Sequence, residues 1–159
     1  MGDPGGFERQ MNPRGPATMK PPPNGLCKVI KDLFQVKGPE QGSYVATVKR
    51  ADYVESIKTK ASLLILHWRP TVNPLAWRAV DLFPWGPSEE VRNRGRNRLI
   101  SLLMYCGCPN FRPKQPQDLV GLRCLIRVRT FQHWQSPKLI SVVQDYRLSL
   151  GLDLDSEVD

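Results

Sequence analysis

Histidine, cysteine and paired carboxylates are scarce in this chain of 159 residues. It has two histidines, His67 and His133, and four cysteines. Its carboxylates are scattered, and it contains no phosphate-cradling glycine loop and no G-x-S-x-G motif. The sequence therefore offers no catalytic constellation, and it favours a protein that is not an enzyme and needs no cofactor.

The cysteine spacing argues against a metal site and against a disulfide framework. Only one residue separates Cys106 from Cys108, and no histidine is near, whereas zinc sites use spacings such as paired C-x-x-C. Cys124 lies in a strand pattern and Cys106 on a helix stripe, which suits buried, reduced thiols. We expect no metal site.

Long apolar runs are also missing. No stretch approaches the roughly 20 residues that cross a bilayer, and prolines and glycines stand where a signal peptide needs an apolar core. The sequence predicts a soluble, cytoplasmic protein without membrane contact.

Positive charge is abundant, with 23 lysines and arginines against 15 carboxylates, a net charge of +8 and a pI near 9.6. Basic surfaces attract phosphate backbones and anionic lipids, and the distribution of charge here favours nucleic acid. The sign reverses in the last residues, 151–159, where four carboxylates form an acidic tail.

The composition divides the chain into three parts. Residues 1–25 contain the run Pro21-Pro22-Pro23 and almost no hydrophobic periodicity, which predicts a flexible arm. Residues 26–150 fit one domain, and 151–159 are the tail. Leu26–Val36 has apolar residues at helical spacing and is either a helix or an irregular lead-in strand.

Five segments of the domain have strand patterns. They are Ser43–Tyr53, Ser62–Arg69, Leu75–Phe83, Leu122–Arg129 and Leu139–Leu148. The second is apolar on both faces, which predicts a central strand. The third is expected to end before Pro84-Trp85-Gly86-Pro87. A helix then begins after the N-cap Ser88 and ends at Gly107.

The order of elements predicts a mainly β fold. Five strands with one long helix between the third and the fourth match an oligonucleotide-binding (OB) barrel, in which that helix caps the barrel. We therefore expect a five-stranded OB-fold-like barrel with one capping α-helix, a flexible N-terminal arm and an acidic C-terminal tail.

Four segments resemble a known family. TKASLLILHW, LAWRAVDLF, NRLISLLMYCG and DLVGLRCLIRV are similar to small phage-encoded proteins regarded as single-stranded-DNA-binding proteins of replication and recombination modules. The similar region runs from about Tyr44 to Leu148. Ala61-Ser62 stands where the family has a glycine-containing turn, and the helix is unusually rich in arginine. These departures leave open whether single strands or duplexes are bound.

Sequence-tolerant binding of single strands needs cations along the phosphates and flat side chains for the bases. The candidate cations are Lys58, Lys60, Arg78, Arg123, Arg127 and Arg129; the last three form a stripe along one strand. The candidate platforms are Trp68, Trp77, Trp85, Phe131 and Trp134, of which Trp77 and Trp134 are favoured.

The expected partner is single-stranded DNA, and RNA is an alternative that sequence does not separate. The acidic tail resembles in kind the tails with which bacterial single-stranded-DNA-binding proteins recruit replication and repair enzymes; a purely solubilising tail is the other interpretation. An exposed barrel edge is able to pair into an oligomer. The resemblance places the protein at the DNA of a bacterial host. The rival hypothesis is a protein-interaction or architectural module, such as a phage structural or host-takeover protein.

Overall fold

The computed structural model describes residues 17–21, 26–35 and 37–148. The acidic tail and most of the predicted arm lie outside these residues. The elements are β1 (Ala17–Thr18), α1 (Cys27–Leu33), β2 (Gly42–Glu55), β3 (Ser62–Pro70), β4 (Ala79–Gly86), α2 (Glu89–Tyr105), a 3-10 turn (Pro116–Leu119), β5 (Arg123–Gln132) and β6 (Leu139–Arg147). Within the described ranges, no helix has the length and hydropathy of a membrane span.

Five strands close into a barrel. Their order is β5-β2-β3-β4-β6, and β6 pairs back with β5. Every pair is antiparallel except β4 and β6, which meet in parallel at Val80 and Val142. The short β1 adds to the outside by pairing in parallel with the end of β5. The expected mainly β fold with a five-stranded, OB-like barrel is confirmed, and α2 lies in the chain between the third and fourth barrel strands.

Strand β3 is buried on both faces. Leu64, Leu66 and Trp68 belong to the barrel core, whereas Leu63 and Ile65 belong to a second cluster outside it. Helix α1 completes this outer cluster with its apolar stripe, which is made up of Leu26, Ile30, Leu33 and Phe34. The segment after residue 26 is therefore a helix rather than a lead-in strand, and the prediction of a central strand is confirmed.

The strand after the hairpin turn was placed wrongly by the sequence pattern. It was expected at Leu75–Phe83 and to end before Pro84, but β4 runs from Ala79 to Gly86. Leu63 pairs with Pro84 and Ser62 with Gly86, so the register shifts and Trp85 is left as a bulge. Bulges are among the few positions where a sheet accepts proline, because the regular ladder is already interrupted there.

Helix α2 packs closely on β4 through a residue without a side chain. The hydroxyl of its N-cap Ser88 accepts a hydrogen bond from the backbone N–H of Val91 (3.2 Å). Gly95, one turn further, is buried, and a methyl group there would overlap the carbonyl oxygen of Pro84 and touch the Trp85 ring. Glycine at this position therefore sets how near the helix lies to the strand.

A buried carboxylate ties α2 to the barrel. Asp81 is 0% exposed and accepts hydrogen bonds from Trp68 Nε1 (3.1 Å) and the Tyr146 hydroxyl (2.6 Å). Its other oxygen accepts from Arg98 Nη2 (2.8 Å), which also donates to the carbonyl of Val143 (2.7 Å). Burial raises the pKa of Asp81, whereas the attraction of Arg98 and the hydrogen bonds to the carboxylate oppose that rise. One carboxyl group thus joins β3, β4, β6 and α2.

We expect Gly95→Ala to lower the free energy of unfolding by about 1–3 kcal/mol, because the added methyl group forces helix and strand apart. Urea denaturation followed by circular dichroism measures the change. Asn97→Ala, at an exposed position of the same helix, is the control and is expected to be neutral or slightly stabilising. An unchanged stability in Gly95→Ala would contradict the close packing.

We expect Asp81→Asn to destabilise the protein by about 3 kcal/mol, because the largely buried guanidinium of Arg98 loses its counter-charge. Glu55→Gln removes a carboxylate at an exposed position and is expected to change stability by less than about 0.5 kcal/mol. Equal losses in the two variants would contradict a central role for Asp81.

Candidate nucleic-acid interface

Three arginines of β5 line the outside of the barrel. Arg123, Arg127 and Arg129 are exposed and alternate with the buried core residues Cys124, Ile126 and Val128. Successive side chains of a strand point to opposite faces of the sheet. The three predicted stripe residues therefore share the outer face of β5, with half-buried Leu125 between the first two.

Strand β2 connects this stripe to a further arginine. Thr47 pairs with Arg123 of β5 on one side and with Arg69 of β3 on the other. Adjacent strands lie about 4.8 Å apart, so the two arginines flank Thr47 within about 10 Å. The Thr47 hydroxyl lies 2.8 Å from that of Thr71 and forms a hydrogen bond with it.

Two more guanidinium groups lie next to Arg69. Arg78 is half-buried in the loop before β4, and its pKa is lowered by burial and by the positive charges of Arg69 and Arg50. Arg50 forms an ion pair with Asp52 (Nε to Oδ2, 3.0 Å). Like charges placed side by side on a sheet are destabilising. The repulsion between these guanidinium groups therefore raises the free energy of the folded protein, and a bound anion would lower it.

We call these six residues the arginine face: Arg50, Arg69, Arg78, Arg123, Arg127 and Arg129. Among the described residues, two carboxylates lie beside it. Asp52 is held by Arg50, and Asp145 pairs across the sheet with Arg127 and lies 3.6 Å from a guanidinium nitrogen of Arg147. The face therefore keeps a marked excess of positive charge.

A buried histidine positions one of these carboxylates. His67 Nε2 lies 2.9 Å from Asp52 Oδ2, and its Nδ1 has no hydrogen-bond partner among the described residues. Burial lowers the pKa of His67, although its hydrogen bond to Asp52 opposes this effect. A neutral imidazole is then expected at pH 7, donating from Nε2 to Asp52, which in turn holds Arg50.

The structure removes Trp68 from the candidate site. Its ring is 0% exposed in the barrel core, where the indole nitrogen donates to Asp81. Both faces of the predicted strand Ser62–Arg69 are apolar, so the sequence pattern did not show which face packs inside the barrel. A base cannot stack on this side chain without unfolding the barrel.

The other predicted aromatics are only partly accessible. Phe131 is half-buried beneath Arg129, whose guanidinium carbon lies 5.1 Å from the ring centroid. Trp134 stacks on His133 with centroids 4.0 Å apart. Trp77 lies in the loop before β4, not on a strand, and its ring meets Tyr44 edge-on at 5.2 Å. Only Phe131 is joined directly to the arginine face.

The predicted lysines lie elsewhere. Lys58 and Lys60 are exposed in the turn between β2 and β3, whereas Arg69 is near the opposite end of β3. Eight residues separate Lys60 from Arg69, and the strand from Ser62 to Arg69 alone spans about 23 Å. Of the predicted cations, the structure therefore brings together Arg78, Arg123, Arg127 and Arg129 but not the two lysines.

Sequence reasoning missed Arg50 and Arg69. Arg50 lies inside the first predicted strand and Arg69 ends the second. Only the pairing register shows that Arg69 lies one strand away from the β5 stripe and that Arg50 lies on the strand between them. It also missed the two most exposed aromatic residues of the described chain, Tyr53 at 45% and Phe111 at 37%. Tyr53 ends an alternating strand pattern, which indicates a face but not its accessibility.

Metal ligands do not converge in the part of the chain that the structure describes. No group of three or more His, Cys, Asp or Glu side chains is arranged there to hold an ion. The chemistry that this surface offers is therefore attraction of anions by guanidinium groups.

We expect the protein to lose stability on acidification from pH 7.5 to 5.5, in part through His67. Its folded-state pKa lies below the ordinary value of 6.5, so the unfolded chain takes up a proton first as the pH falls. This loss begins near pH 6.5 and continues until the folded-state pKa is reached. Urea denaturation at several pH values should show a shallower decline in His67→Gln; an identical decline would contradict the assignment.

A scan against models of known protein families finds none that matches this chain. A search of curated proteins finds no match either. The resemblance to phage-encoded single-stranded-DNA-binding proteins therefore stays a prediction, and the function is argued from the geometry of the barrel surface.

Proposed function

We propose that this protein binds single-stranded DNA without sequence preference, in replication or recombination of the phage type, by holding the phosphate backbone on the arginine face. One observation carries the proposal: six arginines from four segments of the chain lie on the outer surface of neighbouring strands, and in the described part of the chain two carboxylates lie beside them. Folding alone gains nothing from this crowding, because guanidinium groups repel each other.

The shape of the face supports a bound chain rather than a single ion. It runs from Arg78 across β3 and β2 to Arg123, and then along β5 to Arg129 and Phe131. Side chains two residues apart on a strand are about 7 Å apart, so β5 presents a row of positive charge. Phosphate contacts carry no sequence information, which is why we propose sequence-tolerant binding.

The position of the aromatics limits the stacking part of this proposal. Phe131 lies beside the arginines of β5. The rings of Trp77 and Trp134 instead contact other aromatic side chains of the protein, Tyr44 and His133 respectively. Phosphate contacts are therefore proposed to supply most of the affinity, which makes binding strongly dependent on salt.

We expect Arg123→Gln/Arg127→Gln to weaken binding of a fluorescent oligo-dT and to reduce the slope of log K against log salt by about 1.4, since each lost contact with a single strand removes about 0.7. Fluorescence anisotropy over a salt series, with duplex and RNA of equal length in parallel, measures both quantities. A preference for duplex would contradict the single-strand proposal, and a preference for RNA would change its ligand.

The matched control is Arg94→Gln/Arg96→Gln. These two arginines are also exposed, but they lie on α2 and outside the arginine face, and their loss changes the net charge equally. We expect a much smaller change of slope. Equal effects in the two double variants would mean that net charge alone drives binding, and the assignment to the arginine face would fail.

A second function is favoured by a separate apolar groove of about 710 Å³. It lies between α1, the outer face of β3 and β4, and the start of α2, with Leu63, Leu82 and Val91 in its lining. Such a groove suits the protein-interaction module that rivals nucleic-acid binding. Absence of any oligonucleotide binding at low salt would make this the leading hypothesis.

A further inference from the structure

A small slot opens beside β2, and neither Trp77, Phe131 nor Trp134 lines it. Its volume is about 320 Å³, at the small end of the range for ligand pockets, which suits one ring system rather than a large ligand. Two aromatic rings, Tyr53 and Trp85, line it together with Pro113 and Pro116. Lys114 and Gln115 supply the polar lining. The slot thus combines flat apolar walls with one cation.

The walls of the slot are held in place by contacts within the protein. The Asp118 carboxylate accepts hydrogen bonds from the backbone N–H groups of Lys114 (2.7 Å) and Gln115 (3.2 Å). These bonds fix the proline-containing loop against the 3-10 turn. On the other side, Trp85 is the bulge residue of β4, and Gly95 leaves the space that its ring occupies. The slot is therefore formed before any ligand arrives.

Tyr53 lies on the part of β2 that β5 does not cover, and the 3-10 turn packs against β2. Strand β5 pairs with β2 only from Gly42 to Thr47, so the second half of β2 has a strand partner on one side, β3. The Tyr53 ring is 45% exposed there, although it pairs across the sheet with the core residue Leu64. A large aromatic ring left this accessible beside a preformed slot is available for stacking.

The slot is also close to the arginine face. Arg50 precedes Tyr53 by three residues on β2, a distance of about 10 Å along the strand. The two side chains lie on opposite sides of the sheet, since Arg50 pairs with Asp52, which binds His67 outside the barrel, whereas Tyr53 lies on the side of Leu64. A single strand that runs past this part of β2 would therefore reach both side chains.

We propose that the slot takes one nucleobase of the bound strand, stacked on Tyr53 and facing Trp85, with the Lys114 ammonium group against an adjoining phosphate. This inference rests on the proposed single-strand binding. It supplies a base contact that Trp68, Trp77 and Trp134 do not, and of the predicted tryptophans it uses Trp85. The ring faces and proline side chains accept any base, so the contact adds affinity without sequence preference.

The test compares oligo-dT with an abasic phosphodiester chain of equal length, using the full-length protein. Wild type is expected to bind oligo-dT about fivefold to hundredfold more tightly than the abasic chain, as for one stacked base. Tyr53→Leu should lose most of this ratio by weakening oligo-dT binding alone, whereas Tyr53→Phe should keep it. Phe111→Leu, at the other exposed aromatic, is the control and should leave the ratio unchanged.

The outcomes separate this inference from the proposed function. If neither chain binds at low salt, single-strand binding itself fails. If both bind and Tyr53→Leu keeps the wild-type ratio while its thermal unfolding is unchanged, the slot proposal is overturned and the arginine face stands.

Two further measurements test where the base binds and whether it belongs to a strand or to a free nucleotide. Oligo-dT should quench the fluorescence of wild type more than that of Trp85→Phe, because stacking near an indole quenches it; equal quenching would overturn the placement. Thymidine monophosphate is titrated separately. Binding as tight as that of oligo-dT would assign the slot to a free nucleotide and overturn its role in holding a strand.

Discussion

The fold depends on the buried carboxylate of Asp81 more than on any other polar group that we identify. Its oxygens accept hydrogen bonds from Trp68, Tyr146 and Arg98, which come from β3, β6 and α2. A carboxylate without exposure to water is costly unless it is paired and fully hydrogen-bonded. The parallel contact of β4 with β6 is short, with one register pair, so these bonds add a second link where the barrel closes.

The closed barrel in turn creates the proposed binding surface. Strand β2 lies between β3 and β5, and its Thr47 brings Arg69 and Arg123 to either side of it. Those arginines are 54 positions apart in the chain (123 − 69), and only the sheet register makes them neighbours. Because β5 leaves β2 after Thr47, the second half of β2 has β3 as its one strand partner, and the Tyr53 slot lies there between β2 and the 3-10 turn. The register of the sheet therefore sets the positions of both the arginine face and the Tyr53 slot.

Sequence patterns recovered the fold better than the site. Strict alternation identified β5 and its outward arginines, because one face of that strand is core and the other is solvent. The start of β4 was misplaced, since Leu75 to Arg78 looks strand-like but forms a loop, and Pro84 is accepted at a bulge that no local signal marks. Trp68 was predicted as a platform because its ring is flat and aromatic, but it is buried in the barrel core among side chains from several strands and from α2.

The sequence by itself determined the features whose signals are local: the number and order of the five barrel strands, the helix that begins after Ser88 and the excess of positive charge. Periodicity and capping act within a few residues, so a single sequence reveals them. Only the tertiary structure decided that Arg98 is a buried partner of Asp81 while Arg94 and Arg96 stay exposed, and that Lys58 and Lys60 lie far from the arginine face. These outcomes depend on burial and on pairing between segments that are distant in the chain. Neither can be read from local patterns in the sequence.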